Sequence, residues 1–216
     1  MPETSAGRAG ARPSPHDLAP PTPIPAGLVV LVGPPASGKT SFVRALVERR
    51  QIEAGAVVSS DEMRRELFGA VSEPADSDAA DAADAADARI FEERDRRIAA
   101  RLAAGRSVIA ESTNVTPQAR ERLIALARRF GAPVTVLRFA PDVAGLLQQY
   151  AERGRTDLSA ADVRAYAAVM SRDAGADRLR AEGAAAVHDV PGRREAVTPA
   201  GAAARFTFAP GAPPWR

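Results

Sequence analysis

Five consecutive apolar residues, Leu28 to Val32 (LVVLV), follow a stretch with no apolar period. An unbroken apolar run of that length is the pattern of a strand covered on both faces. TSFVRALVERR comes next, with Phe42, Leu46 and Val47 at helical spacing. The alternation then repeats. AVVSSD predicts a second short strand, and SDEMRRELFG a helix opened by a Ser/Asp cap. RSVIAE predicts a third strand, and TPQARERLIALARRFG an amphipathic helix with Pro in its first turn and Gly after its end. APVTVLRF is a fourth strand, and PDVAGLLQQYAERG another helix. SAADVRAYAAVMSRDAGADRLRAEG is a long helical segment with a break expected near Gly175, and AAAVHDV a last strand. Strands alternating with helices of this length predict an α/β fold, a parallel sheet with helices on both faces.

The flanks have a different texture. Met1 to Gly27 is rich in Pro, Ala and Gly and reads as a disordered leader. Pro191 to Arg216 returns to the same composition and reads as a loosely structured tail, leaving residues 28–190 as the folded domain. Inside that domain, DSDAADAADAADA sets Asp78, Asp81, Asp84 and Asp87 three apart. Like charges at that spacing on a helix repel by about 0.2–0.5 kcal/mol per pair. The segment is therefore read as a simple-sequence expansion in a loop or solvated helix, not as a metal-binding stripe.

Composition narrows the chemistry. At 216 residues and 45% hydrophobic, the chain suits one domain with a substantial core. It has no cysteine, which excludes disulfides, thiolate nucleophiles and cysteine-zinc sites. His16 and His188 lack ligand-spaced companions and read as surface or packing residues. A net charge of +2 argues against a uniformly basic nucleic-acid coat, so any basic surface must be local. Nothing before Leu28 has the form of a signal peptide, and no apolar run approaches a membrane span, so the expected compartment is the cytoplasm without membrane association.

Between the first strand and first helix stands Gly33-Pro34-Pro35-Ala36-Ser37-Gly38-Lys39-Thr40, which fits G-x-x-x-x-G-K-[ST] at every position. Backbone N–H groups from Ala36, Ser37, Gly38, Lys39 and Thr40 can curl around a β-phosphate, and the helix N-terminus adds partial positive charge. Gly33 and Gly38 let the backbone approach a phosphate closely. Lys39 is the only lysine of the chain, every other member of its 29 Lys+Arg being arginine. Arginine's wide planar fork does not fit between β- and γ-phosphates, so the one position requiring a compact ammonium keeps it. Thr40 is the expected Mg²⁺ ligand, with Ser41 in reserve. The pattern predicts a P-loop NTPase fold that binds a nucleoside triphosphate with Mg²⁺.

A P-loop alone does not choose between switch, motor and kinase. The guanine-reading N-K-x-D motif is absent, since it needs a second lysine. In a parallel sheet, residues just past a strand's C-terminal end line the ligand crevice, which puts Asp61 beside a γ-phosphate. A carboxylate there can take the proton of an attacking hydroxyl. Arg64, three residues on, shares the helix face and can hold an acceptor phosphate.

GPPASGKTSF, VVSSDEMRREL, RLAAGRSVIAESTNVTPQARERLIALARRFGAPVTVLRF and RGRTDLSAADVRAYAAVM stand in the order and spacing of the P-loop 5′-hydroxyl polynucleotide kinases. From about Leu28 to Val190 the chain resembles that family, the kinase module of phage polynucleotide kinase and of bacterial RNA-repair kinase–phosphatases. The resemblance implies a kinase-type fold with a helical lid, Asp61 as general base and Arg64 on the acceptor's phosphate. It also implies Thr113 and Asn114 near the acceptor, and Arg155 or Arg153, in AERGRTD, reaching over the γ-phosphate. Gly154 between two helices agrees with a mobile lid. The chain departs from the family in having Glu111 and Ser112 where Asp usually precedes T-N, and Tyr150 and Ala151 where an arginine precedes the lid.

The expected activity is ATP- and Mg²⁺-dependent transfer of a γ-phosphate to a hydroxyl, with a nucleic-acid 5′-OH as leading acceptor. A small-molecule hydroxyl kinase of the same fold is the alternative, favoured by an aromatic content of 5%. A non-enzymatic NTP-binding regulatory module is a third. Arg120, Arg122, Arg128 and Arg129 gather on one helix; a solvated face is preferred to a track for a phosphate backbone.

Overall fold

The computed structural model describes residues 20–69, 79–140, 142–152 and 159–210. Its centre is a five-stranded parallel sheet. The apolar run of the sequence is β2 (Leu28–Val32), and it occupies the middle. β4 (Val108–Glu111) and β5 (Val134–Arg138) flank it, while β3 (Val57–Ser59) and β6 (Ala186–Asp189) form the edges. Alternate residues of β2 feed two cores. Leu28, Val30 and Val32 pack with Ile98, Leu102, Leu123 and Ile124, whereas Val29 and Leu31 pack with Phe42, Leu46 and Phe206. Both faces of the strand are covered, which is why no polar residue interrupts it.

Helices cover both sides. α1 (Lys39–Glu48) follows β2, α2 (Ser60–Phe68) follows β3 and α4 (Pro117–Arg129) follows β4. Thr116 caps α4 with Pro at its first turn, and Ser59 caps α2. The predicted break near Gly175 separates α6 (Ala160–Asp173) from α7 (Ala176–Glu182), and α5 (Val143–Glu152) precedes both. Ala79 to Ala103 form one 25-residue helix, α3, so the described part of the Ala/Asp repeat is helical and continues into a helix that buries Ile90, Ile98 and Leu102. The residues before position 20, the segment 70–78, Arg153 and Arg155, and the end beyond 210 lie outside the described residues.

The folded unit extends beyond the expected 28–190 on both sides. β1 (Thr22–Ile24) pairs in parallel with β7 (Phe206–Phe208), and the short α8 (Pro199–Ala203) precedes β7. Ile24, Ala202, Ala203 and Phe206 are buried against the α1 face of the sheet. Three-residue strands carry too few positions for a period of two to register in the sequence. Their partner lies at the other end of the chain, so no local pattern marks the pairing.

Register decides where the chemistry falls. Val30 and Val58 both stand opposite Ala110, and Ser59 stands beside Glu111. The ends of β2, β3 and β4 therefore reach one level, and the segments leaving them converge on one crevice.

Candidate active site

The crevice begins with the loop after β2. Gly33 donates its N–H to the Thr113 carbonyl at 2.9 Å, tying this loop to the one after β4. A Cβ on Gly33 would lie 2.8 Å from Phe139 and Ser37 atoms, so only glycine fits. Ala36 and Gly38 have φ of 63° and 98°, which turn the loop back on itself. Gly38 is the N-cap of α1 without a side-chain cap bond, and the first turn holds no acidic residue, so the backbone donors there face no carboxylate of their own helix. Lys39 is 8% exposed. Its Nζ donates to the carbonyls of Gly33 and Pro34, each at 2.7 Å, and to Ser37 Oγ at 3.3 Å.

Thr40 Oγ1 donates to Glu111 Oε1 at 2.5 Å. Glu111 ends β4 and is buried. Burial pushes its carboxyl above the ordinary range, the Thr40 hydroxyl and the Lys39 charge pull it back, and the Asp61 and Glu62 carboxylates raise it further. This residue was read from the sequence only as a departure from a family pattern; its partnership with Thr40 joins positions 71 apart. The signal that could have found it is an acidic residue closing an apolar strand.

Asp61 lies in the first turn of α2. The capping role that competes for such a residue belongs to Ser59, whose hydroxyl accepts from the Glu62 N–H. The Asp61 carboxylate makes no hydrogen bond or ion pair among the described residues, and is exposed to the crevice. Beside it the Ser60 hydroxyl is buried with no hydrogen-bond partner among the described residues.

A cleft of about 300 Å³ gathers these groups. Of the residues expected from sequence, Ala36, Ser37, Gly38, Lys39, Thr40, Asp61, Arg64 and Thr113 line it together. Gly33 shapes the loop from beneath, and Ser41 does not reach the lining. Arg64 is ion-paired with Asp87 of α3. Phe91 of α3 and Tyr166 of α6, which carried no functional expectation, complete the wall.

Asn114 is placed differently from its expected position near an acceptor. It is 2% exposed, and its Nδ2 donates to the carbonyls of Leu31 at 2.9 Å and Ala110 at 3.5 Å. With φ at 46°, it fixes the loop after β4 rather than facing the cleft. Three of the four arginines of α4 are likewise committed elsewhere. Arg120 is 1% exposed and held by Glu182, Arg122 pairs with Asp95, and Arg128 donates to the Glu182 carbonyl; Arg129 is exposed. Arg120 is thus neither solvated, as expected for that helix face, nor available to a phosphate backbone.

Sheet, loop and cleft together have the design of a P-loop kinase-type fold. A family model described as an AAA domain matches residues 28–173, from β2 to the end of α6, and the chain belongs to that family. No curated protein matches it. Among solved structures, a chain of the Pnkp1/Rnl/Hen1 RNA repair complex is similar at 18% identity and a TM-score of 0.56, over 74% of this chain and 47% of that one. This chain spans about half the length of that protein. A shikimate kinase from Acinetobacter baumannii matches at 18% identity and TM-score 0.48, over 83% of this chain and 87% of its own. A gluconokinase from Sinorhizobium meliloti 1021 matches at 17% identity and TM-score 0.49, over 82% and 91%. At 18% identity, the likeness to the repair-complex chain is likeness of fold. No helix among the described residues is long and apolar enough to cross a membrane.

Proposed function

We propose that this chain transfers the γ-phosphate of ATP to a hydroxyl group, with the 5′-OH of a polynucleotide as the leading acceptor. The observation that carries the reading is the Asp61 carboxylate, which shares one cleft with Lys39 and Thr40 and is engaged by no other described side chain. Lys39 and the loop amides hold the triphosphate. Asp61 accepts the proton of the acceptor hydroxyl as its oxygen bonds to the γ-phosphorus; the bond to the β–γ bridging oxygen breaks and ADP leaves.

The Thr40 hydroxyl and Glu111 carboxylate, 2.5 Å apart, are hard oxygen donors suited to Mg²⁺. Among the described residues no cluster of three acidic or histidine side chains could hold a metal alone. A site of one or two protein oxygens, completed by phosphate and water, fits that ion's habit. Bound there, Mg²⁺ supplies positive charge to the triphosphate. Arg153 and Arg155 lie outside the described residues and enter no step.

A nucleic-acid acceptor is supported by a cation and two aromatic rings that line the same cleft, Arg64 with Phe91 and Tyr166. Bases stack on such rings at about 1–3 kcal/mol each, and phosphates pair with arginine. The small volume of the cleft favours the second reading, a compact hydroxyl-bearing metabolite.

The test is transfer of label from γ-labelled ATP to 5′-hydroxyl DNA and RNA oligonucleotides, with Asp61→Ala alongside. Label should reach the 5′ end and fall at least about 100-fold in the variant, as for loss of a general base, with ATP binding retained. Undiminished transfer by the variant would remove Asp61 from the reaction. ATP binding without label on any oligonucleotide would shift the acceptor to a small molecule. Binding with no turnover on any acceptor would leave the regulatory module.

A further inference from the structure

At the acceptor end of the cleft, the Arg64 guanidinium is already paired, and its partner is Asp87 from the Ala/Asp repeat. Arg64 pairs with this residue of another helix and not with Asp61, three positions away on its own helix. Both side chains are about half exposed, 53% and 47%. An ion pair in that setting is screened by water and exchanges readily, so its partner can be replaced by a better one. A phosphate offers arginine two parallel charge-assisted bonds and is such a partner.

The pair is not needed to dock α2 on α3. Met63 of α2 and Ile90 of α3 are buried in the same core cluster. Arg97 of α3 bridges Glu66 of α2 and Glu93, each at 2.6 Å, and the Arg89 guanidinium lies 5.2 Å from the Phe68 ring centre. Those contacts hold the two helices whether or not Asp87 carries charge. Nor is Asp87 merely one more residue of a solvated repeat. Asp84, one helical turn before it, is exposed and does not line the cleft, whereas Asp87 does.

We propose that Asp87 is a specificity-determining residue for the acceptor: it occupies Arg64 at the cleft mouth, and a phosphate-bearing acceptor must displace it to bind. The inference rests on the reading of Arg64 as the acceptor's phosphate partner. Weak or singly contacting anions do not displace the carboxylate, and an acceptor phosphate does so while its hydroxyl comes to Asp61.

Calorimetric titration of the full chain with adenosine 3′-monophosphate, the P-loop filled by a non-hydrolysable ATP analogue, tests it. Adenosine serves as the uncharged control. Asp87→Asn keeps the shape and removes the charge; it should bind the nucleotide about two- to five-fold more tightly than wild type, the effect expected for an exposed ion pair. Adenosine binding should not change, and in an Arg64→Ala background Asp87→Asn should bring no gain. Unchanged or weaker nucleotide binding by Asp87→Asn, a gain that persists without Arg64, or no nucleotide binding by any variant overturns the proposal. Label transfer to oligonucleotides is measured separately. Transfer without the binding effect sinks this inference and leaves the proposed function standing. The binding effect without transfer keeps the role of Asp87 and removes the polynucleotide as acceptor.

Discussion

Glu111 is buried at the end of β4 with its carboxylate against the Thr40 hydroxyl, in a cleft that also holds Asp61. Its carboxyl is raised, chiefly by burial, so the folded chain holds that proton more tightly than the unfolded chain does. The resulting stability is fully present below the ordinary value of 4.5 and is lost as pH rises through the folded value. Above the folded value the nucleotide-free protein therefore carries a buried carboxylate that opposes folding. Glu111→Gln should raise the thermal midpoint at about pH 7–8, by about 2–4 °C for each kcal/mol relieved, and the advantage should vanish as pH approaches 4.5. The same variant should lose the Mg²⁺-dependent strengthening of ATP binding. Scanning calorimetry across pH, with and without Mg²⁺–ATP, checks both; a variant less stable than wild type at pH 7 would refute the burial argument. At this scale Lys39, Thr40 and Asp61 were legible because their positions are defined by distance along the chain from a strand end. Glu111 and Asn114 were not, because their roles come from partners on other strands: Thr40 for the one, Leu31 for the other.

Among the elements, α4 shows how a charge can mislead. Arg120 sits on a helix rich in arginine, yet it makes five hydrogen bonds, to Glu182, to the carbonyls of Asn114 and Val115, and to the carbonyl of Asp173. It thereby joins the loop after β4 to the end of α6 and to α7. Removing it leaves a partly buried Glu182 and three carbonyls without their donor. Arg120→Ala should destabilise by about 3–5 kcal/mol, the range for breaking a buried pair. Arg120→Lys should not restore the loss, since one compact ammonium cannot reach partners set around a planar fork. Exposed Arg129→Ala should stay within about 0.5 kcal/mol of wild type. Urea denaturation of the three variants measures this, and equal stability of Arg120→Ala and Arg129→Ala would refute it. The strands and most helices were readable because alternating apolar blocks set a βα repeat. The second half of α3 was not, because buried Arg94 interrupts the stripe of Ile90, Ile98 and Leu102 and makes a core-facing helix look charged.

Over the whole molecule, the described parts of the two flanks that read as loose meet as the β1–β7 pair, on the face of the sheet opposite Tyr166. Phe206 of β7 is 3% exposed and stands edge-on to Phe42 of α1, ring centres 5.8 Å apart; Phe42 in turn meets Phe139 edge-on at 5.4 Å. Phe42 is one turn from Lys39, and Phe139, with Ser37, leaves no room for a Cβ on Gly33. β7 thus braces the helix and strand that carry the phosphate loop, although none of its residues lines the cleft. Phe206→Ala should destabilise by about 3–5 kcal/mol, the range for a buried phenylalanine, and lower the thermal midpoint accordingly. ATP affinity measured well below that midpoint should be nearly unchanged, since the loop's own contacts to Thr113 and Lys39 remain. A midpoint equal to that of wild type would mean that β1, α8 and β7 are dispensable and that the cooperative unit ends at 28–190. A lowered midpoint with intact ATP binding would place the unit's limits at the β1–β7 pair.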